Sequence, residues 1–151
     1  RFLVSMSGYY LTRVMDVKRT AKPGFLILDG GIHQINYYGW MMGMKQPEIE
    51  VLAEKDGDEE LFHLCGSLCT VNDVLARDVA LRDPQKGDVI CFKRCGAYAA
   101  TEGMAMFLSR ELPQVLICKP DGKIEKLRDR METYAFHARN DRYKNFLVME
   151  K

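Results

Sequence analysis

Apolar residues along this chain gather into short runs that turn-forming residues interrupt at close intervals, a rhythm that belongs to strands. Phe2 to Lys18 sets Leu11, Val14 and Val17 beside Tyr9 and Tyr10, too aromatic and β-branched for a helix, and reads as one long strand ending in the turn Thr20 to Gly24. Phe25 to Leu28 is a short buried-strand run that stops at Asp29-Gly30-Gly31, where two glycines permit positive φ or the close approach of another backbone. Further strands are expected at Glu48 to Ala53, Leu61 to Ser67, Val74 to Leu81, Asp88 to Phe92 and Gln114 to Cys118. Asp56-Gly57-Asp58 separates the first two of these as a hairpin signal, and Pro84 to Gly87 separates the third from the fourth. Short, regularly punctuated strands predict an all-β architecture, an antiparallel sandwich or barrel. After the turn Pro120-Asp121-Gly122, the residues Ile124, Leu127, Met131, Tyr134 and Ala138 recur at helical spacing and predict a C-terminal amphipathic helix over Ile124 to Arg139.

The chain has 151 residues, 47% of them hydrophobic, enough apolar material for one sizeable core and a single domain spanning 1–151. With 22 Lys plus Arg against 21 Asp plus Glu, no long-range field favours nucleic acid or an anionic membrane. The apolar runs are far shorter than a bilayer requires and no signal peptide is evident, so the chain reads as a cytoplasmic protein. Five cysteines, an odd number, lie among strand-like sequence, which suits a reducing compartment. Cys65 with Cys69, and Cys91 with Cys95, are each four apart, so a strand would present each pair on one face. Zinc held by these four is disfavoured, because zinc ribbons use a shorter spacer in a tight turn. The chain opens at Arg1 directly on an apolar segment and is expected to begin in mid-protein.

Cys69-Thr-Val-Asn-Asp73-Val-Leu-Ala-Arg77-Asp78, then Gly87-Asp88, then Gly96-Ala97-Tyr98, resembles the carboxy-terminal signature of the diaminopimelate, ornithine and arginine decarboxylases. Leu11-Thr-Arg-Val14, Phe25-Leu-Ile-Leu-Asp29-Gly-Gly31, Phe107 ahead of Pro113, and Arg128 to Glu132 extend the likeness over almost the whole chain. The resemblance implies a pyridoxal 5'-phosphate enzyme. An amino-terminal βα barrel, absent from this chain, carries the cofactor lysine, while the second domain is a β-sandwich or Greek-key barrel. Active sites form where the barrel of one subunit of a homodimer meets the sandwich of the other. A fragment limited to the second domain would be inactive alone.

Particular residues take roles from the resemblance. Arg1 matches the arginine of a Glu-Pro-Gly-Arg motif that lies near phosphate or substrate carboxylate. Tyr98 matches a tyrosine whose hydroxyl is donated to the cofactor phosphate, with Gly96 permitting close approach; a core tyrosine is the alternative. Cys69 matches the cysteine sent into the partner subunit's site to protonate or steer the carbon from which carbon dioxide has left. A free thiol pKa of about 8.5 suits that task, and a buried structural cysteine is the alternative. Asp73 either forms an ion pair with the partner barrel or caps a hairpin, and Phe107 belongs to the substrate side of the interface.

Two departures bear on substrate. Relatives acting on lysine-like or ornithine-like substrates carry an acid after the cysteine, because a distal ammonium entering a pocket must be paired; here that residue is Thr70. Diaminopimelate enzymes follow Asp29-Gly-Gly31 with an arginine and a tyrosine for the distal carboxylate, but this chain reads Ile32 to Lys45 without arginine, offering His33, Asn36, Tyr37, Tyr38 and Trp40. Those aromatics either meet substrate or fill an interface. The stretch resembles the subgroup that decarboxylates an amino acid tethered to an acyl carrier protein, whose glutamyl thioester has no distal charge. The cationic stretch Lys123 to Arg130 is read as a solvated face, with a carrier-protein patch as the alternative. Ordinary diaminopimelate decarboxylase, a catalytically silent regulatory relative and a stand-alone protein-binding β-domain are the rival readings.

Overall fold

The computed structural model describes residues 3–36 and 48–137. Arg1, Phe2, Tyr37, Tyr38, Trp40 and the last two residues of the expected C-terminal helix, Ala138 and Arg139, lie outside them. The chain divides into two compact units, Arg1–Met104 and Ala105–Lys151.

The first unit is a six-stranded sheet. Its strands are β1 (Tyr9–Lys18), β2 (Gly24–Leu28), β3 (Ile49–Val51), β4 (Glu59–Cys65), β5 (Val74–Arg82) and β6 (Val89–Lys93), preceded by a 3-10 turn at Ser5–Ser7. Their spatial order is β3-β6-β1-β2-β4-β5. Alternation in β1 buries Tyr10, Thr12 and Val14 and exposes Tyr9, Leu11 and Arg13, so one face of the strand enters the core. Tyr10 stands opposite Phe92 of β6, their rings 5.8 Å apart, and Val14 stands opposite Leu28 of β2. With Leu26, Phe62, Leu64, Leu75 and Ile90, each at most 2% exposed, these side chains form the core. The edge strands β3 and β5 approach across an open groove of about 360 Å³ lined by Ile49, Val51, Lys55, Ala80 and Arg82, so the sheet coils nearly into a barrel.

The all-β reading stands, with three corrections. First, β2 and β4 pair in parallel, Leu26 beside Leu64, so the sheet is mixed rather than antiparallel throughout. Second, neither Asp56-Gly57-Asp58 nor Pro84 to Gly87 closes a hairpin: β3 leaves β4 to pair with β6, and β6 leaves β5 to pair with β1. Third, the stretch expected as a C-terminal helix begins as a strand. In the second unit β7 (Val115–Cys118) and β8 (Ile124–Arg128) form an antiparallel hairpin around the Lys119–Lys123 turn, followed by a single 3-10 turn at Tyr134–Phe136. Every residue of β8 is exposed, so there was no buried stripe behind the helical spacing. The long first strand is also shorter than expected, because Val4 to Ser7 coils before Gly8. No described helix is long and apolar enough to cross a membrane.

Candidate functional site

Strand direction assembles the site. β2 and β6 each run antiparallel to β1, and β4 runs parallel to β2, so β2, β4 and β6 all end at the same side of the sheet. The loops that leave them carry His33 and Asn36, then Cys69, Thr70 and Asp73, then Gly96 and Tyr98, while β1 begins at that same end after the Val4–Gly8 segment.

Hydrogen bonds lock these loops together. Asp73, only 2% exposed, accepts the backbone N–H of Leu68 at 2.7 Å and that of Ile32 at 2.9 Å, one oxygen to each loop. A Cβ on Gly31 or Gly66 would stand 2.6 or 2.2 Å from that carboxylate, so both positions require glycine for space. The turn after β2 is fixed again from β1. Thr12 Oγ1 donates to Asp29 Oδ1 at 2.6 Å and accepts from Gly30 N at 3.0 Å, while the Tyr10 hydroxyl donates to Gln34 Oε1 at 2.5 Å. Burial pushes the Tyr10 hydroxyl above the ordinary tyrosine range, so it remains a donor. The same turn is tied to the loop after β6, with Asn36 N donating to Ala99 O at 2.7 Å and Met104 N to Ile32 O at 2.8 Å.

Tyr98 adopts φ 63°, a left-handed conformation uncommon for an aromatic residue, and the residue is 56% exposed. Thr101 N, Thr101 Oγ1 and Glu102 N, at 2.9, 3.1 and 3.0 Å, all donate to its carbonyl and hold that backbone. The exposed phenol offers an O–H to an anionic oxygen, which fits one contribution to phosphate binding rather than an enclosing site. A Cβ on Gly96 would stand 1.9 Å from the Val4 carbonyl, so glycine there admits the close approach of this chain's own segment. Arg1 and Tyr37 lie outside the described residues.

Cys69 is exposed and in no disulfide, on a loop rather than on β4, so it does not share a strand face with Cys65. Thr70 is half-buried, its carbonyl accepting Asp73 N at 3.2 Å and its hydroxyl accepting Asn72 N at 3.3 Å. Both Asp73 oxygens accept backbone N–H groups within the chain. His33 is 1% exposed and faces inward. Phe107 belongs to the second unit, half-buried in the 3-10 turn Phe107–Ser109. Three of the other cysteines are inert by environment, since burial raises the thiols of Cys65 and Cys91 and pushes that of Cys95 up to about 12, while Cys118 is exposed in the second unit. Among the described residues no group of three or more His, Cys, Asp or Glu side chains could hold a metal.

Sequence reasoning missed Val71, 91% exposed at the tip of the Cys69 loop, and Thr101 beneath Tyr98. A β-branched apolar residue inside a turn was a legible signal for the first; nothing local marked the second.

Residues 2–96 match the family model described as pyridoxal-dependent decarboxylase, C-terminal sheet domain. Among curated proteins, the chain is 32% identical over 77% of its length to 2-[(L-alanin-3-ylcarbamoyl)methyl]-2-hydroxybutanedioate decarboxylase of Staphylococcus aureus, covering 31% of that protein. It is 31% identical over 85% of its length to L-glutamyl-[BtrI acyl-carrier protein] decarboxylase of Niallia circulans, again covering 31% of the relative. Diaminopimelate decarboxylase of Deinococcus radiodurans is 32% identical over 85% of the chain and is covered over 33% of its length. The chain thus spans about a third of these relatives. A crystal structure of diaminopimelate decarboxylase from M. jannaschii superposes with a TM-score of 0.75 over 93% of this chain and 32% of that one, at 24% identity, a likeness of fold. The chain belongs to the pyridoxal-dependent decarboxylases, its residues 2–96 matching their C-terminal sheet domain.

Proposed function

We propose that this chain completes the active site of a cytoplasmic, homodimeric pyridoxal 5'-phosphate enzyme that removes the α-carboxylate of an amino acid whose side chain lacks a distal ammonium. The observation that carries the reading is the common direction of β2, β4 and β6, which delivers the Cys69 loop, the Tyr98 loop and the Ile32–Asn36 turn to one end of the sheet. In this reading the sheet is the β-sandwich or Greek-key half of the enzyme. It is inactive alone because the βα barrel supplies the lysine that holds the cofactor.

The cofactor, when bound, supplies the sink for the electron pair released as carbon dioxide departs. Tyr98 donates its phenolic O–H to a phosphate oxygen, and its held left-handed backbone keeps the ring at the loop surface. Cys69 serves the opposite protomer: its exposed Sγ gives a proton to the α-carbon, a step that positioned acids accelerate about 10²- to 10⁴-fold. Thr70 offers no charge for a distal ammonium, and the relative acting on a carrier-linked glutamyl group supports a tethered glutamyl substrate. Lys119, Lys123, Lys126 and Arg130 pair with Glu125, Asp121, Asp129 and Glu111, so the hairpin is a balanced face and docking of a carrier is assigned elsewhere.

Diaminopimelate decarboxylase is the second reading, favoured by the 32% identity to the Deinococcus enzyme. Product mass spectrometry on the full-length protein, offered free diaminopimelate and the γ-thioester of L-glutamate, decides between them. Carbon dioxide release from the thioester is expected; rapid lysine formation overturns the tethered reading, and release from no amino acid in a broad panel leaves the silent regulator.

A further inference from the structure

We propose that Val71 is a specificity-determining residue, whose isopropyl group forms the apolar lip that meets the distal part of the substrate side chain; this rests on the reading of Cys69 given above. The Asp73 N–H to Thr70 carbonyl bond, 3.2 Å, closes a four-residue turn with Val71 and Asn72 at its centre. Central turn positions favour Gly, Pro, Asn and Asp, and a β-branched apolar residue gains nothing locally by standing there. Val71 gains nothing from the core either, since at 91% it is the most exposed large hydrophobic among the described residues. Local and tertiary preference both argue against valine at a position held rigid from below by Leu68, 7% exposed, and by the Asp73 carboxylate on its N–H. A rule broken without local compensation marks a position whose gain lies in a complex.

Chain geometry keeps Val71 close to Cys69. Two residues span at most about 7 Å, so the Val71 backbone stands no farther than that from the Cys69 backbone, a distance comparable to a glutamyl or ornithine side chain. An isopropyl group there strips water from an approaching ammonium and returns no hydrogen bond, whereas the methylenes and thioester of a tethered glutamyl group lose little. Thr70 and Asn72, the neighbours in the turn, add no charge. Val71 therefore excludes a cationic end as well as accepting a neutral one.

The test compares Val71→Asp and Val71→Thr with the parent sequence in the full-length enzyme, using carbon dioxide release from L-ornithine and from the γ-thioester of L-glutamate with N-acetylcysteamine. Val71→Asp should lower the ratio of kcat/KM for thioester over ornithine about tenfold, a discrimination typical of one altered pocket group. Val71→Thr, which keeps the shape, should move the ratio in the same direction. An interface filler would alter both substrates equally, so a ratio shifted less than threefold overturns the proposal. Wild-type activity confined to diaminopimelate overturns it while leaving the decarboxylase reading intact. Release from no amino acid at all removes both.

Discussion

Asp73 and Ile32 are 41 positions apart, yet the Asp73 carboxylate accepts the Ile32 N–H at 2.9 Å. That bond, with its companion to Leu68 N at 2.7 Å, makes one buried side chain the junction between the Cys69 loop and the turn after β2. Asp73→Asn keeps the size but turns an NH₂ toward one of two N–H donors. The substitution should destabilise the fold by about 1 to 3 kcal/mol, the usual consequence of leaving a buried donor unmade. Gly66→Ala should act similarly, since its Cβ would stand 2.2 Å from the same carboxylate. Denaturant unfolding of both variants checks this; unchanged midpoints would contradict the clamp.

Thiol labelling separates the five cysteines. Cys69 and Cys118 are exposed, Cys91 is buried, and burial raises the thiols of Cys65, Cys91 and Cys95. Mass spectrometry of the folded chain treated briefly with iodoacetamide near pH 8 should find Cys69 and Cys118 modified first and the other three last. In the full-length dimer Cys69 should become protected, as its proposed entry into the opposite protomer requires.

Cys95 makes stability depend on pH. Its thiol has an ordinary value of 9.0 and is pushed up to about 12 by burial, so between those values the folded chain retains a proton that the unfolded chain releases. The contribution is complete below pH 9 and is lost as pH rises toward 12. At pH 10.5 it amounts to about 2 kcal/mol. Cys95→Ala should therefore lose less stability than the parent between pH 8 and pH 10.5 in urea unfolding; parallel losses would argue against it.

Strands with their own turns nearby were legible in the sequence, and long-range pairing was not. The runs around Phe25 to Leu28 and Val74 to Leu81 became β2 and β5 almost as bounded, because their apolar content and the turn residues that end them are local signals. The parallel bond of Leu26's strand to Leu64's has no local signature, since everything from Asp29 to Asp58 intervenes. Asp56-Gly57-Asp58 marks a real turn, with Gly57 at φ 99°, but a turn does not say which neighbour the next strand chooses. Ile124, Leu127 and Met131 met a helical template by spacing, while the nearby Pro120-Asp121-Gly122 turn returned the chain onto β7. At the site, the glycines at positions 31, 66 and 96 could be singled out by type. What approaches them, Asp73 and the Val4 carbonyl, belongs to tertiary structure.

Tyr98 sets stability against function. An aromatic residue at φ 63° stores strain that glycine would not, and with 56% of the residue exposed its ring contributes little to the core. Tyr98→Gly should therefore stabilise the apo form of the full-length protein by up to about 1 kcal/mol, while Tyr98→Phe, which keeps the strain, should leave apo stability unchanged. Both should bind pyridoxal 5'-phosphate about 10- to 150-fold more weakly, because a hydrogen bond to a charged oxygen contributes about 1.5 to 3 kcal/mol. Apo thermal midpoints and cofactor titration followed by absorbance measure the two effects separately. A Tyr98→Phe protein that retained full affinity would remove the phenol from the phosphate. A destabilised Tyr98→Gly protein would show instead that the ring supports the loop.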